Sequence, residues 1–217
     1  MELLKKYVMK NLQLEISGKK IVKGKLLEVG SDIIVLYDGN DFLYIPSIHI
    51  QHVFEEDEED IQLDEALFPP DGNLSFRKTL TNAKGIFSEI FVTGSLSIHG
   101  YVTSILNDYF VFYSPVYKTM YIPFQHLKWL IPYDDNRTPY ALEKEKLPVN
   151  PLSVSLSRTF YIQLEKFIGN IIVIDLGFKP GNVGQLTNLQ GNLMEITTAR
   201  GTPVFINLNH IKAVHFQ

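Results

Sequence analysis

Gly24-Lys25-Leu26-Leu27-Glu28-Val29-Gly30-Ser31-Asp32, answered by Ile45-Pro46-Ser47-Ile48-His49-Ile50-Gln51-His52-Val53, is a pattern that this chain writes three times. The second copy reads Gly100-Tyr101-Val102, Asp108, Ile122-Pro123, His126-Leu127-Lys128 and Leu130. The third reads Gly184-Gln185-Leu186, Asn192, Ile206-Asn207, His210-Ile211-Lys212 and Val214. In every copy the glycine precedes the acid or amide by eight residues and the isoleucine precedes the histidine by four. Recurrence at fixed spacing means one small unit used repeatedly, and this decides the architecture before any local motif is weighed.

Each copy opens on a helical rhythm. Residues 2–12 set Leu3, Leu4, Tyr7, Val8 and Leu12 near one face with lysines opposite. Residues 155–168 do the same with Leu156, Phe160, Leu164 and Phe167, have Ser155 or Ser157 as a cap, and stop at Gly169. Residues 74–83 are the weaker equivalent before the second copy. The period then changes to two: 12–17 alternates as a strand with one wet face should, and Ile90 with Val92, and 171–174, take that place later. Turns at Gly18, at Gly94 and at 177–181 lead to the strand carrying Gly24, Gly100 or Gly184, where a glycine marks a bend or a close backbone approach. The most apolar strands follow at 33–36, 109–113 and 193–196. Hairpins marked by Asp38-Gly39 and Arg200-Gly201 return the chain to a last strand after the Ile-Pro or Ile-Asn step. The units are placed at 1–55, 74–132 and 153–217, joined by an acidic linker at 56–73 and a proline-containing linker at 133–152.

With 45% hydrophobic and 20% charged residues, the 217-residue chain has the composition of a globular protein. Units of this size are marginal alone, so shared interfaces are expected. The absence of cysteine excludes disulfides, thiolate metal sites and cysteine nucleophiles. No signal peptide or membrane span is read, and a cytoplasmic location is expected, with association with a spore as the alternative. Residues 55–71 hold nine acids and no base, which turns the net charge of −4 for the chain into +5 for the remainder. That run is read as a solvated linker; its functional alternative is a strap that competes with nucleic acid for a basic face.

A short helix followed by five bent strands, with Gly-x-Leu in the second and an acid or amide at the next turn, resembles the Sm and Sm-like fold, including bacterial Hfq. The chain as a whole looks like uncharacterised proteins of endospore-forming bacteria, some associated with spore coats. The resemblance implies a mainly β protein of three tandem Sm-like or SH3-like five-stranded bent barrels, each preceded by a short α-helix. It also implies assembly, because Sm-like modules form rings by pairing the fourth strand of one with the fifth of the next. Three modules per chain then suggest a homodimer forming a six-module ring, the alternative being a monomer with internally packed modules. The nucleotide-binding steps of the family do not carry over: 44–47, 121–124 and 205–208 have neither the Tyr-Lys-His of Hfq nor an Arg-Gly pair. RNA binding is therefore the runner-up to an assembly role, with Tyr101, Tyr117, Lys118 and Lys128 as the candidate contacts. Aromatic packing is the competing account of the tyrosines.

His49, His126 and His210 occupy equivalent positions. They either converge as a zinc ligand set or, the preferred reading, each pins the turn into its last strand. His49 and His52 fall on opposite faces of an extended strand, which argues against a joint ligand role. The glycines at 177, 181 and 184 lack the Lys-Ser/Thr of a phosphate loop, and no matched nucleophile and base appears. No catalytic residue, metal or cofactor is assigned, and a non-enzymatic interaction protein is expected; a small-molecule enzyme would need a pocket of convergent polar groups. Gly24, Gly100, Gly184, Asp32, Asp108, Asn192 and the three histidines remain as structural or interface positions.

Overall fold

A computed structural model describes residues 1–56, 61, 72–93, 96–134, 136–143, 146–147 and 155–216. Gly94 and nearly all of the acidic run lie outside the described residues. The protein is mainly β, with few helices: among the described residues fifteen strands form one open antiparallel sheet in the order β14-β13-β12-β11-β15-β9-β8-β7-β6-β10-β4-β3-β2-β1-β5.

The order resolves into one five-stranded pattern repeated three times. The first unit contains β1 (Asn11–Ile16), β2 (Lys20–Val29), β3 (Ile33–Tyr37), β4 (Phe42–Pro46) and β5 (Ile50–Glu55). The second contains β6 (Phe87–Phe91), β7 (Ile98–Ile105), β8 (Tyr109–Ser114), β9 (Lys118–Pro123) and β10 (Trp129–Pro132). The third contains β11 (Ile171–Ile174), β12 (Val183–Gln190), β13 (Leu193–Thr197), β14 (Pro203–Asn207) and β15 (Val214–His215). In each, the first strand lies between the second and the fifth. The second strand carries a bulge at one repeated place, between Leu26 and Glu28, Val102 and Ser104, and Leu186 and Asn188. A bulge bends its strand and sharpens the local twist.

The helices differ from the expected ones. Glu2–Tyr7 is a 3-10 helix, not the opening of an α-helix over 2–12. Leu12 and Leu14 are held in β1 between β2 and β5, which ends the helical segment before Asn11, and no side chain caps its start. α1 spans Phe76–Asn82, and α2 only Phe160–Glu165. Neither Ser155 nor Ser157 caps α2: Ser157 is buried, its N–H donating to Gln163 Oε1 at 2.7 Å, and Ser155 Oγ lies 3.0 Å from Lys166 Nζ. All three units leave the helical segment through the same left-handed turn, at Met9 (φ 68°), Gly85 (φ 79°) and Gly169 (φ 92°).

Each unit has an apolar cluster, but the clusters cross unit boundaries. Ile131 of β10 belongs to the cluster of the first unit, and Tyr109, Val111 and Tyr121 belong to that of the third. The outer face of β3, at Ile33 and Val35, is covered by Leu74 and Phe76. β3 is thus buried along Ile33, Ile34, Val35 and Leu36, and β8 along its whole length, whereas β13 alternates between exposed and buried residues. Strands covered on both faces read as continuous apolar runs, and those with one wet face alternate.

Candidate functional site

Two seams join the three units. At the first, β10 pairs with β4, Leu130 opposite Tyr44; at the second, β15 pairs with β9, Val214 opposite Tyr121 and His215 opposite Met120. In both, the fifth strand of one unit lies on the fourth strand of the unit before it. The seam extends to the repeated acid. Phe76 N–H, the first of α1, donates to Asp32 Oδ1 at 2.7 Å, and Phe160 N–H, the first of α2, donates to Asp108 Oδ1 at 2.8 Å. One residue earlier, Ser31 N–H donates to Leu74 O at 3.0 Å, and Asn107 N–H to Arg158 O at 3.0 Å. The first amides of a helix have no partner inside it, and a carboxylate there is favoured by hydrogen bonding and by the helix dipole. Asp32 and Asp108 are therefore caps supplied by the preceding unit. The sequence shows the acid at constant spacing but not this role, because donor and acceptor lie over forty residues apart.

The repeated glycines have a steric cause. A Cβ at Gly24 would lie 2.6 Å from Tyr37 O, and one at Gly184 would lie 2.5 Å from Thr197 O; at Gly100 it would collide still more severely with Tyr113 O. Each obstacle is the backbone of the neighbouring strand, so no side-chain rearrangement relieves it.

The histidines occupy the last position of three equivalent 3-10 turns, Ser47–His49, Phe124–His126 and Leu208–His210. His49 is buried, and its Nδ1 lies 2.8 Å from Ser17 Oγ, which ties the turn to the end of β1. Burial pushes its pKa down to about 4, reinforced by the positive field of Lys128 and by His126, and opposed by the Leu127 carbonyl. Burial also lowers His126, which faces Lys212, Asp175, the Asn209 backbone and His210. Each of the first two histidines therefore looks across a seam into the next unit. Among the described residues no group of three or more His, Asp or Glu is arranged to hold a metal. His52, on β5, is exposed, and its Nδ1 lies 2.9 Å from Glu15 Oε2.

The nucleic-acid candidates are held by separate partners. Tyr101 packs edge-on against Phe87 in a hollow also lined by Tyr133, Arg137 and Leu147. Tyr117 meets His215, and Lys118 (φ 60°) bonds to Pro115 O in the β8–β9 hairpin. Lys128 Nζ stands 5.2 Å from the centre of the Phe91 ring at the first seam. Of the other tyrosines, Tyr109 and Tyr121 are fully buried, as is most of Tyr113.

Among the described residues both ends of the sheet are open: β14 occupies the place of β4 and β9 in its unit with no described strand beyond it, and β5 likewise occupies the place of β10 and β15. Phe205 on β14 is 64% exposed, whereas Tyr121, its counterpart on β9, is 0% exposed. Phe54 on β5 is 45% exposed, whereas its counterpart Ile131 is buried. The outer face of β13 is bare, with Leu193 exposed in a hollow lined by Asn188, Gln190, Glu195 and Phe205. Asn192, the counterpart of Asp32 and Asp108, is exposed and lines a separate hollow with Phe160, Tyr161 and Leu208, and Glu195 stands where Val35 and Val111 stand in the earlier units.

A family model described as YwrJ third domain matches residues 159–214, the stretch from the N-cap of α2 to the first residue of β15. A Bacillus subtilis (strain 168) protein, Uncharacterized protein YwrJ, is 40% identical over 220 residues, covering 98% of each chain. With that identity along its whole length, the chain belongs to the YwrJ family.

Proposed function

We propose that the protein is a non-enzymatic, cytoplasmic assembly module of three Sm-like barrels, and that two copies close head to tail into a ring of six units. The observation that carries this reading is the match between the two internal seams and the two open edges. The chain has already joined a fifth strand to a fourth strand twice, and it presents one unused strand of each kind. Unpaired strand edges with exposed aromatics are templates for further pairing. The register follows from the internal seams. Leu130 faces Tyr44 and Val214 faces Tyr121, so Val53 of one copy faces Phe205 of the other. Glu195 and Asn192 make the third docking face more polar than its counterparts, as suits a surface that meets water before association.

Sedimentation velocity across micromolar concentrations tests the reading. A dimer without higher species supports ring closure; a monomer throughout refutes association, and an open series of larger species refutes closure. The RNA reading has less support, since its four candidate contacts are dispersed and the buried tyrosines offer no free ring face.

A further inference from the structure

We infer that Lys20, Lys128 and Lys212, with His49 and His126 beside them, form a binding site for a condensed phosphate anion across the seams. Lys20 comes from β2 of the first unit, Lys128 from the start of β10 in the second, and Lys212 from the turn before β15 in the third. Their convergence is a product of the seams and is invisible in the spacing of any one copy.

The geometry centres on one aromatic ring. Phe91 and Trp129 stack at 4.2 Å with their planes 9° apart, which covers one face of Phe91. Lys20 Nζ lies 5.0 Å and Lys128 Nζ 5.2 Å from the centre of the same Phe91 ring. Lys128 also reaches over the β1–β2 turn, so closely that a Cβ at Gly18 would lie 2.5 Å from its Nζ. Among the described residues no carboxylate pairs with either lysine. Lys212 is bound to Asp175 at 3.2 Å, and Asp175 also faces His126. The mutual repulsion is felt: burial, then Lys212 and Lys20, lower the pKa of Lys128. Like charges such as Lys20 and Lys128, held over one ring with no carboxylate paired to them among the described residues, are stabilised by an anion that bridges them, and a chain of phosphates supplies several charges along one line.

A nucleobase is not the matching ligand. Stacking needs an open ring face, and Phe91 has Trp129 on one face and two ammonium groups over its ring. The site thus suits phosphate charge without an aromatic group.

The test is isothermal titration of the full chain with sodium tripolyphosphate, at matched ionic strength, beside orthophosphate and a uridine oligonucleotide. Tripolyphosphate is expected to bind at least tenfold more tightly than orthophosphate and to raise the melting temperature. The K20Q/K128Q variant is expected to lose at least tenfold in affinity. It should fold, since Gln51 already occupies the place of Lys128 in the first unit. Three results would overturn the proposal: no tripolyphosphate binding by the wild type, equal affinity in the variant, or displacement of tripolyphosphate by the oligonucleotide at equal phosphate concentration.

Discussion

Replacing Phe205 by Asp should convert the proposed dimer into a monomer, and the size of the effect can be worked from the internal seams. Phe205 is 64% exposed in one chain, and its counterpart Tyr121 is fully buried once β15 lies on β9. An aromatic side chain presents on the order of 200 Å². Covering the exposed part of Phe205 therefore removes about 130 Å² from water, or about 3 kcal/mol at ~25 cal/mol per Å². A closed dimer has two such junctions, so about 6 kcal/mol of association depends on this residue, equivalent to roughly four orders of magnitude in Kd. A buried carboxylate would add a desolvation cost of several kcal/mol. Sedimentation velocity on wild type and F205D across about 1–100 µM reads this directly, with the dimer lost at every concentration. The register is tested by adding V53K to F205D. Opposite charges on directly facing residues contribute roughly 0.2–1 kcal/mol, so with two junctions the double variant should associate up to about thirtyfold more tightly than F205D alone. A dimer that survives F205D, or a rescue produced by Q51K and not by V53K, would refute the reasoning.

Three further expectations concern the fold itself. Gly100→Ala should destabilise by about 3 kcal/mol or more, because the new Cβ meets the Tyr113 carbonyl. Gly85→Ala, which has a left-handed φ but open space, should cost only about 1–2 kcal/mol, and urea melts of the two variants distinguish the causes. Asp108→Ala removes the cap that the second unit gives to α2 and should cost about 1–2 kcal/mol, with hydrogen exchange rising first at the amides of α2. For His49 the folded pKa is depressed, to about 4 from 6.5, so the unfolded chain binds more protons in that window. Stability is therefore fully present above the unfolded value and falls as pH drops through 6.5 towards 4, by about 2 kcal/mol at pH ~5 from this group alone. Urea melts at pH 7.5 and 5 should show the loss in wild type and a smaller one in H49N.

The repeat made much of the fold legible, because the glycine, the acid and the histidine mark fixed points of a five-stranded unit. Gly24, Gly100 and Gly184 could be recognised as sites of close approach from their place within alternating strands. What lay outside the pattern was anything contributed by a neighbouring unit. The rhythm of 155–168 points to a helix capped by Ser155 or Ser157, but α2 starts at Phe160, and the amide of that residue is taken by Asp108. Residues 2–12 have helical periodicity, yet pairing on both sides of Leu12 and Leu14 claims the second half for β1. Strand apolarity held the most underused signal. The unbroken runs at β3 and β8 against the alternation of β13 already distinguish strands covered on both faces from one with a wetter face. The cationic group at the seams had no sequence signature, since each unit contributes only a part of it.

The placement of β10 on β4 has a consequence for the order in which the chain is made. A ribosome completes β4 at Pro46 but does not deliver its partner until Trp129–Pro132, and β9 likewise waits from Pro123 to Val214–His215. The first two units therefore emerge with a bare fourth-strand edge, which is closed only when the last strand of the next unit is translated. The nascent protein is most vulnerable to pairing with its neighbours on a polysome during those intervals. Slowed translation after β4 or after β9 should then promote mispaired chains more than slowing at any point within a unit.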